Sequence, residues 1–140
     1  MSLIISHRGN ISGPDQTLEN NPNHIKELLE SNIQVEIDVW YIDNVLVLGH
    51  DKPQYIVNEV FLQSEGLWCH AKNLEALHYM LSNKIKNCFW HENDYCTLTS
   101  SGYIWTFPDK LVTDKSIIVD ISNNWKGKNY CCYGVCVDFL

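Results

Sequence analysis

The 140-residue chain carries ten Lys+Arg against seventeen Asp+Glu, a formal charge of −7, with 45% hydrophobic and 19% charged residues. This is the composition of one globular domain, residues 1–140, because cores below roughly 250–300 residues seldom divide. The negative balance argues against non-specific binding to nucleic acid, which needs Lys or Arg to neutralise phosphate. No run of ~18 apolar residues is available to span a membrane. Met1 to Asn10 lacks the basic start and apolar stretch of a secretory signal, so a cytoplasmic location is expected.

Six cysteines are present. In the absence of a signal peptide they read as reduced thiols, largely in the core. Cys88-x-x-His91 has no evident second half, so a zinc module built from Cys88, His91, Cys131 and Cys136 is a remote reading. The only arginine in the chain is Arg8.

In chain order, Leu3 to Ser6 is a short apolar run that reads as a buried strand ending at His7-Arg8-Gly9. Asn10 to Gln16 holds Gly13-Pro14 and reads as a loop. Ile25, Leu28 and Leu29 follow helical spacing and predict a helix over about 21–31, with Pro22 in its first turn. Val35, Ile37 and Val39 alternate with Glu36, Asp38 and Trp40, which predicts a strand with carboxylates on one face. Asp43-Asn44 reads as a turn into a strand over Val45 to Leu48, a hairpin-like extension that ends at Gly49-His50-Asp51. Residues 53–64 are ambiguous, with a short helix over Glu59 to Gln63. Leu67 to Ala71 reads as a strand, and Asn73 caps a helix carrying Leu74, Leu77, His78 and Leu81. Further strands are expected over 87–90, 103–107, 117–121 and 135–139, joined by loops such as 94–102 and 122–130.

The alternation of strands and helices in the first half indicates parallel βαβ units. The expected fold class is α/β: a reduced or incomplete TIM-type β/α barrel of about seven mainly parallel strands, with few helices in its C-terminal half, since a full barrel needs at least ~200 residues. An incomplete barrel leaves sheet edges that self-association would cover, so a homo-oligomer is compatible with this reading but has no residue pattern behind it.

In such a fold, functional side chains gather at the carboxyl ends of strands. His7, Arg8, Glu36, Asp38, His50, His70 and Lys72 all fall there or on the adjoining strand face, and Glu19 follows the first loop. Two carboxylates on one strand face repel unless a cation lies between them, and oxygen ligands favour Mg²⁺ or Ca²⁺. Arg8 supplies a guanidinium fork for phosphate and Lys72 a point charge. His7 and His50 have the side chain suited to acid/base work near neutral pH. Together these point to metal-assisted phosphoryl chemistry.

His7-Arg8-Gly9, Leu18-Glu19-Asn20, Val35-Glu36-Ile37-Asp38-Val39 and Leu46-Val47-Leu48-Gly49-His50-Asp51 resemble, in order and spacing, the successive motifs of the glycerophosphodiester phosphodiesterases, within the phosphatidylinositol-phospholipase-C-like superfamily. The resemblance is clear over residues 3–53 and moderate over 69–77; Gly134 to Phe139 looks like the family's final strand. It implies a TIM barrel that hydrolyses a glycerophosphodiester, often through a cyclic phosphate. His7 and His50 would then be the acid/base pair, Arg8 the phosphate ligand, Glu36 and Asp38 the metal ligands, and Glu19 a neighbour of the same pocket.

This chain departs from the family at the third metal carboxylate, where it has His70-Ala71-Lys72. With His70 as a ligand, Mn²⁺ or Zn²⁺ becomes admissible beside Mg²⁺ and Ca²⁺. Residues 88–108 do not follow the family pattern. There His91, Glu92 and Trp105 are candidates to line the mouth of the site, with Glu92 a substitute ligand, although a solvated loop and core tryptophans account for them equally well. Asp120 and Asp138 also end strands, but each could merely cap a loop or pair with a lysine, so both stay outside the expected catalytic set. The alternative function is a weak or inactive relative that binds a phosphorylated ligand or a protein partner.

Overall fold

A computed structural model describes residues 2–140. Its ten strands are β1 (Leu3–His7), β2 (Gln34–Ile42), β3 (Val45–Leu48), β4 (Tyr55–Val57), β5 (Leu67–Ala71), β6 (Cys88–Phe89), β7 (Cys96–Leu98), β8 (Ile104–Thr106), β9 (Ser116–Val119) and β10 (Gly134–Val137). The α-helices are α1 (Pro22–Glu30), α2 (Glu59–Leu62) and α3 (Leu74–Ser82), and one 3-10 turn covers Trp125–Gly127. All strands join one curled sheet. Parallel pairing links β1 to β2 and β10, β2 to β5, β5 to β6, β10 to β9 and β9 to β8. Antiparallel pairing adds β3 to β2, β4 to β3 and β7 to β8.

This corrects the expectation of a TIM-type β/α barrel. The sheet is a mixed half-barrel with few helices, and two causes are visible in the chain. Asp43 and Asn44 both take left-handed backbone angles (φ 50° and 63°), so the chain after β2 folds straight back as a hairpin instead of crossing over through a helix. Beyond residue 90 there is no helical periodicity, and the β8-to-β9 and β9-to-β10 connections are loops. β4 and β7, which add two of the antiparallel pairings, were not expected; they are three-residue strands in segments read as ambiguous or as loop.

The helices that do form have local reasons. Asn21 accepts from the amides of Asn23 and His24 at the start of α1, and Asn73 accepts from that of Ala76 at the start of α3, supplying N-caps. Their apolar stripes cover the outer face of β2 and β5: Val35, Ile37, Val39, Cys69 and Ala71 form one core with Ile25, Leu28, Ala76 and Met80. The outer face of β9 and β10 has no helix. Trp125, Tyr130, Phe139 and Leu140 cover it instead, with the Trp125 indole donating to the Phe139 carbonyl at 2.7 Å. The concave face is packed by Ile5, Trp68, Phe89, Trp105, Ile117 and Cys136 at its floor. Above this layer, polar side chains replace apolar ones, and that change of composition positions the site.

Asp120, at the end of β9, ties this helix-poor half together. Its carboxylate lies 2.8 Å from Lys128 Nζ and accepts from Ser122 and the Tyr130 hydroxyl. Burial pushes its pKa up, but Lys128 and these hydrogen bonds outweigh burial and bring it to about 2. A folded value below the unfolded one, ~3.9, means that this stabilisation is complete above that pH and is lost as pH falls toward 2. Asp120→Asn is therefore expected to flatten the stability curve between about pH 4 and 2. An acid-unfolding series showing the wild-type slope in the variant would remove Asp120 from this role.

Among the described residues, no helix is long and apolar enough to cross a membrane. All six cysteines are free, with Cys69, Cys88 and Cys136 buried.

Candidate active site

Strand register assembles the site. In the parallel pairs, His7 lies beside Glu36, Asp38 beside His70 and His70 beside Phe89. Ser6 pairs with Val137, which brings the next residue of each strand, His7 and Asp138, together. The one-residue alternation of β2 sends Glu36 and Asp38 to the concave face while Val35, Ile37 and Val39 enter the outer core. His50 arrives by a different route. β3 runs back along β2, the Gly49 amide donates to the Asp38 carbonyl at 3.2 Å, and the Trp40 indole donates to the Gly49 carbonyl at 2.7 Å. A Cβ on Gly49 would overlap the Lys52 carbonyl oxygen, so only glycine lets the chain turn here and present His50.

Nine of the candidate residues line one cavity of about 270 Å³: His7, Arg8, Glu36, Asp38, His50, His70, His91, Glu92 and Trp105. Lys72 and Glu19 do not line it. Lys72 borders an adjoining depression with His50 and His70, and Glu19 borders another with Arg8 and His50. The opposite wall of the cavity is apolar, made by Phe107, Pro108, Val119 and Ile121 beside Trp105. A larger depression, about 440 Å³, lies at the other end of the strands, and its charged neighbours Glu65 and Lys86 are solvent-exposed.

Each histidine has a defined setting. His7 Nδ1 is 2.8 Å from Asp138 Oδ1, which also accepts from Asn10 Nδ2 at 2.9 Å. As donor to Asp138, Nδ1 leaves Nε2 directed toward the cavity, 3.8 Å from Glu36 Oε2. His50 Nε2 accepts from Arg8 Nη2 at 3.1 Å, and its Nδ1 lies 3.4 Å from Asp38 Oδ2. His70 Nε2 donates to the His91 carbonyl at 2.7 Å, and its ring stacks on Phe89. The His91 ring instead donates to the Asp94 carbonyl at 2.8 Å, and burial lowers its pKa, favouring the neutral imidazole.

The carboxylates are held in opposite electrostatic states. Burial, with the charge of Asp38 next to it, pushes Glu36 well above the usual carboxylate range. Asp38 is equally buried, yet the neighbouring His50 and His70 imidazoles and the Arg8 guanidinium hold it well below that range. Asn20 fastens Asp38 from two sides, Nδ2 donating to Oδ2 and Oδ1 accepting from the Asp38 amide, both at 2.9 Å. Asp138 is held below its ordinary value because hydrogen bonds from His7 and Asn10 and the charges of His7 and Arg8 outweigh its burial. Arg8 has a left-handed backbone (φ 61°), which turns its guanidinium back toward Glu19 (3.5 Å) and Asp38 (3.7 Å).

The donor set fits a divalent cation. Atoms of Glu36, Asp38 and His70 lie within 4.8 Å of one another, the one such cluster of three among the described residues. Glu36 Oε2 and Asp38 Oδ1 are buried and accept no hydrogen bond, which is costly for carboxylate oxygens without a counter-charge. Glu19, Glu92 and the cysteines are not part of the cluster; Glu92 is exposed, and Glu19 binds Asn10 Nδ2 at 2.9 Å. Sequence reasoning set Asp138 aside and overlooked Asn10 as a ligand to it. The signal available was the Val-Asp pair closing the last strand, but its meaning depends on β10 lying beside β1.

No family model, curated protein or solved structure matches the chain. The mixed half-barrel sheet excludes a TIM barrel, and no match supports the resemblance to glycerophosphodiester phosphodiesterases. What supports a function is the geometry of this site.

Proposed function

We propose that this protein cleaves a small phosphodiester of the glycerophosphodiester type, with a divalent cation held by Glu36, Asp38 and His70 and with His7 and His50 as the acid/base pair. The observation that carries this reading is the convergence on one cavity of two separately oriented histidines, the only arginine and two buried carboxylates, each with an oxygen that accepts no hydrogen bond. A bound cation would offset the negative charge of the phosphodiester.

Arg8 is the phosphate ligand, since its guanidinium borders the cavity and its buried Nε has no hydrogen-bond partner. His7 is suited to the base: Asp138 holds Nδ1–H, so Nε2 is free to take the proton of the attacking hydroxyl as its oxygen bonds to phosphorus. His50 is suited to the acid once Arg8 leaves its Nε2 for the phosphate, since that nitrogen can then carry the proton given to the departing alcohol oxygen as the second phosphorus–oxygen bond breaks. Asp38, 3.4 Å from His50 Nδ1, compensates the positive charge that this role requires. When the attacker is a neighbouring hydroxyl of the substrate, the products are a cyclic phosphate and an alcohol. Water then opens the ring with the two histidines in reversed roles. The apolar wall of Trp105, Phe107, Val119 and Ile121 would pack the group beyond the phosphate.

Turnover of glycerophosphocholine, glycerophosphoethanolamine and bis(4-nitrophenyl) phosphate, each with Mg²⁺, Ca²⁺, Mn²⁺ or Zn²⁺, tests the reading. Activity is expected that requires a metal, disappears with a chelator and is lost in His50→Ala. Absence of turnover with every substrate and metal would overturn it. Asp138→Asn is expected to lower kcat by about 10²–10⁴-fold, because an amide at this position can impose the wrong tautomer on His7. Far-UV circular dichroism should be unchanged in that variant, and a wild-type kcat would deny Asp138 its positioning role.

A further inference from the structure

We infer that Glu36, Asp38 and His70 form a centre of two carboxylates and one imidazole, ligating through His70 Nδ1, that selects a first-row transition ion, Mn²⁺ or Zn²⁺, over Mg²⁺ and Ca²⁺. The inference rests on the metal-dependent reading of the site and adds to it the ligand atom and the class of ion.

The argument begins with the proton on His70. Its Nε2 lies 2.7 Å from the His91 carbonyl oxygen, which can only accept, so Nε2 carries the hydrogen. The His91 amide approaches the same nitrogen at 3.4 Å, a much weaker contact. In the neutral ring Nδ1 is therefore a bare lone pair. That lone pair faces Asp38 Oδ1 at 3.4 Å and Glu36 Oε1 at 3.9 Å. Three electron-rich atoms turned toward one another repel unless a proton or a metal cation lies among them.

The carboxylates point the same way. Asp38 uses Oδ2 to accept from Asn20 and leaves Oδ1, buried and unpartnered, toward His70. Glu36 Oε2 is also buried without a partner. Glu36 and Asp38 are 2% and 0% exposed, so water does not relieve either oxygen.

The imidazole is also held in place for ligation. Phe89 stacks on it with centroids 5.1 Å apart and planes 13° apart, and β5–β6 register sets the two side by side. A ligating imidazole whose other nitrogen donates to a backbone carbonyl is the usual outer support of a metal-bound histidine. The other three cavity histidines are engaged differently, His7 with Asp138, His50 with Arg8 and His91 with the Asp94 carbonyl, which leaves His70 as the imidazole donor. Mg²⁺ and Ca²⁺ prefer all-oxygen shells, whereas an imidazole nitrogen favours the transition ions.

The test uses the full chain, stripped with chelator and titrated with Mn²⁺ alone, free Mn²⁺ being followed by electron paramagnetic resonance. One Mn²⁺ per chain is expected, Zn²⁺ displacing it readily and Mg²⁺ or Ca²⁺ only at about 100-fold excess or more. Pulsed spectra of the Mn²⁺ form should show coupling to an imidazole nitrogen. His70→Asp should still bind Mn²⁺, lose that coupling and shift the Mn²⁺/Mg²⁺ preference toward Mg²⁺ by about tenfold. If His70→Asp does not fold by circular dichroism, His70→Gln serves for the coupling measurement.

Equal affinity for Mg²⁺ and Mn²⁺, a missing nitrogen coupling in the wild type, or its persistence in the folded variant would each overturn the inference. So would the absence of stoichiometric binding, which would leave His70 as an imidazolium paired with the two carboxylates. The readout is independent of catalysis. A chain that binds Mn²⁺ through His70 but cleaves no phosphodiester would sink the proposed function alone, and one that turns over with Mg²⁺ and shows no nitrogen coupling would sink this inference alone.

Discussion

Replacing His7 by alanine is expected to lower phosphodiester turnover by about 10²–10⁴-fold while leaving the fold and Mn²⁺ binding intact. The size follows from what is removed: the only cavity imidazole whose Nδ1 is held by a carboxylate and whose Nε2 has no hydrogen-bond partner within the protein. Metal binding should survive because His7 lies outside the cluster of Glu36, Asp38 and His70. The comparison is kcat/KM at saturating metal for wild type, His7→Ala and His50→Ala, with Mn²⁺ affinity measured on the same samples. Loss of turnover together with loss of Mn²⁺ binding would make His7 a ligand. Turnover within a few-fold of wild type would remove it from the mechanism.

Phe89→Ala carries the largest expected effect on stability, about 3–5 kcal/mol. Phe89 is 1% exposed and sits between two rings, with Trp105 stacked at 4.4 Å and His70 at 5.1 Å. It occupies the two-residue strand β6, where few backbone hydrogen bonds can compensate. Against the roughly 5–15 kcal/mol that stabilises a small domain, such a loss is a large fraction of the total. Urea unfolding measures it directly. Phe89→Leu should cost much less, because it keeps most of the buried volume while removing the stack on His70. Its Mn²⁺ affinity would then separate the packing role from the orienting one. If both variants unfold at the wild-type midpoint, the aromatic layer is not the floor of this site.

The two predictions draw on different parts of the chain, and the sequence was informative to different degrees about each. His7, Arg8, Glu36, Asp38 and His50 could be singled out because each lies on or beside a short apolar run whose period is unambiguous. The alternation over 35–40 implies that Glu36 and Asp38 share a face. His70 could be singled out for the same reason, one strand further on. Lys72 and Glu19 were expected at the same cavity, but they border neighbouring depressions. Their distance along the chain from a strand end does not specify the direction in which the following turn carries them.

The barrel expectation failed where local signals are weakest. β4 and β7 are three residues long, too short for periodicity to register. The left-handed pair Asp43-Asn44 reads as a turn into a hairpin-like extension, and β3 does pair backward on β2, but a hairpin at one place does not say how the rest of the sheet closes. Asp138 was set aside for a related reason. A terminal Val-Asp pair is compatible with a loop cap, and only the parallel register of β10 against β1 brings that carboxylate to His7.

By itself, then, the sequence determined which residues carry charge, proton-transfer capacity and metal affinity, and which strand faces display them. These are matters of residue type and of local period, encoded within a few neighbours along the chain. Tertiary structure decided how the sheet curls, which carboxylate orients which histidine, that Nδ1 of His70 faces Glu36 and Asp38, and that an apolar wall closes the cavity opposite them. Each depends on pairing between segments distant in sequence: Ser6 with Val137, Asp38 with His70, and His70 with Phe89. Such pairings are selected by the total free energy of the packed sheet, to which no single segment holds the key.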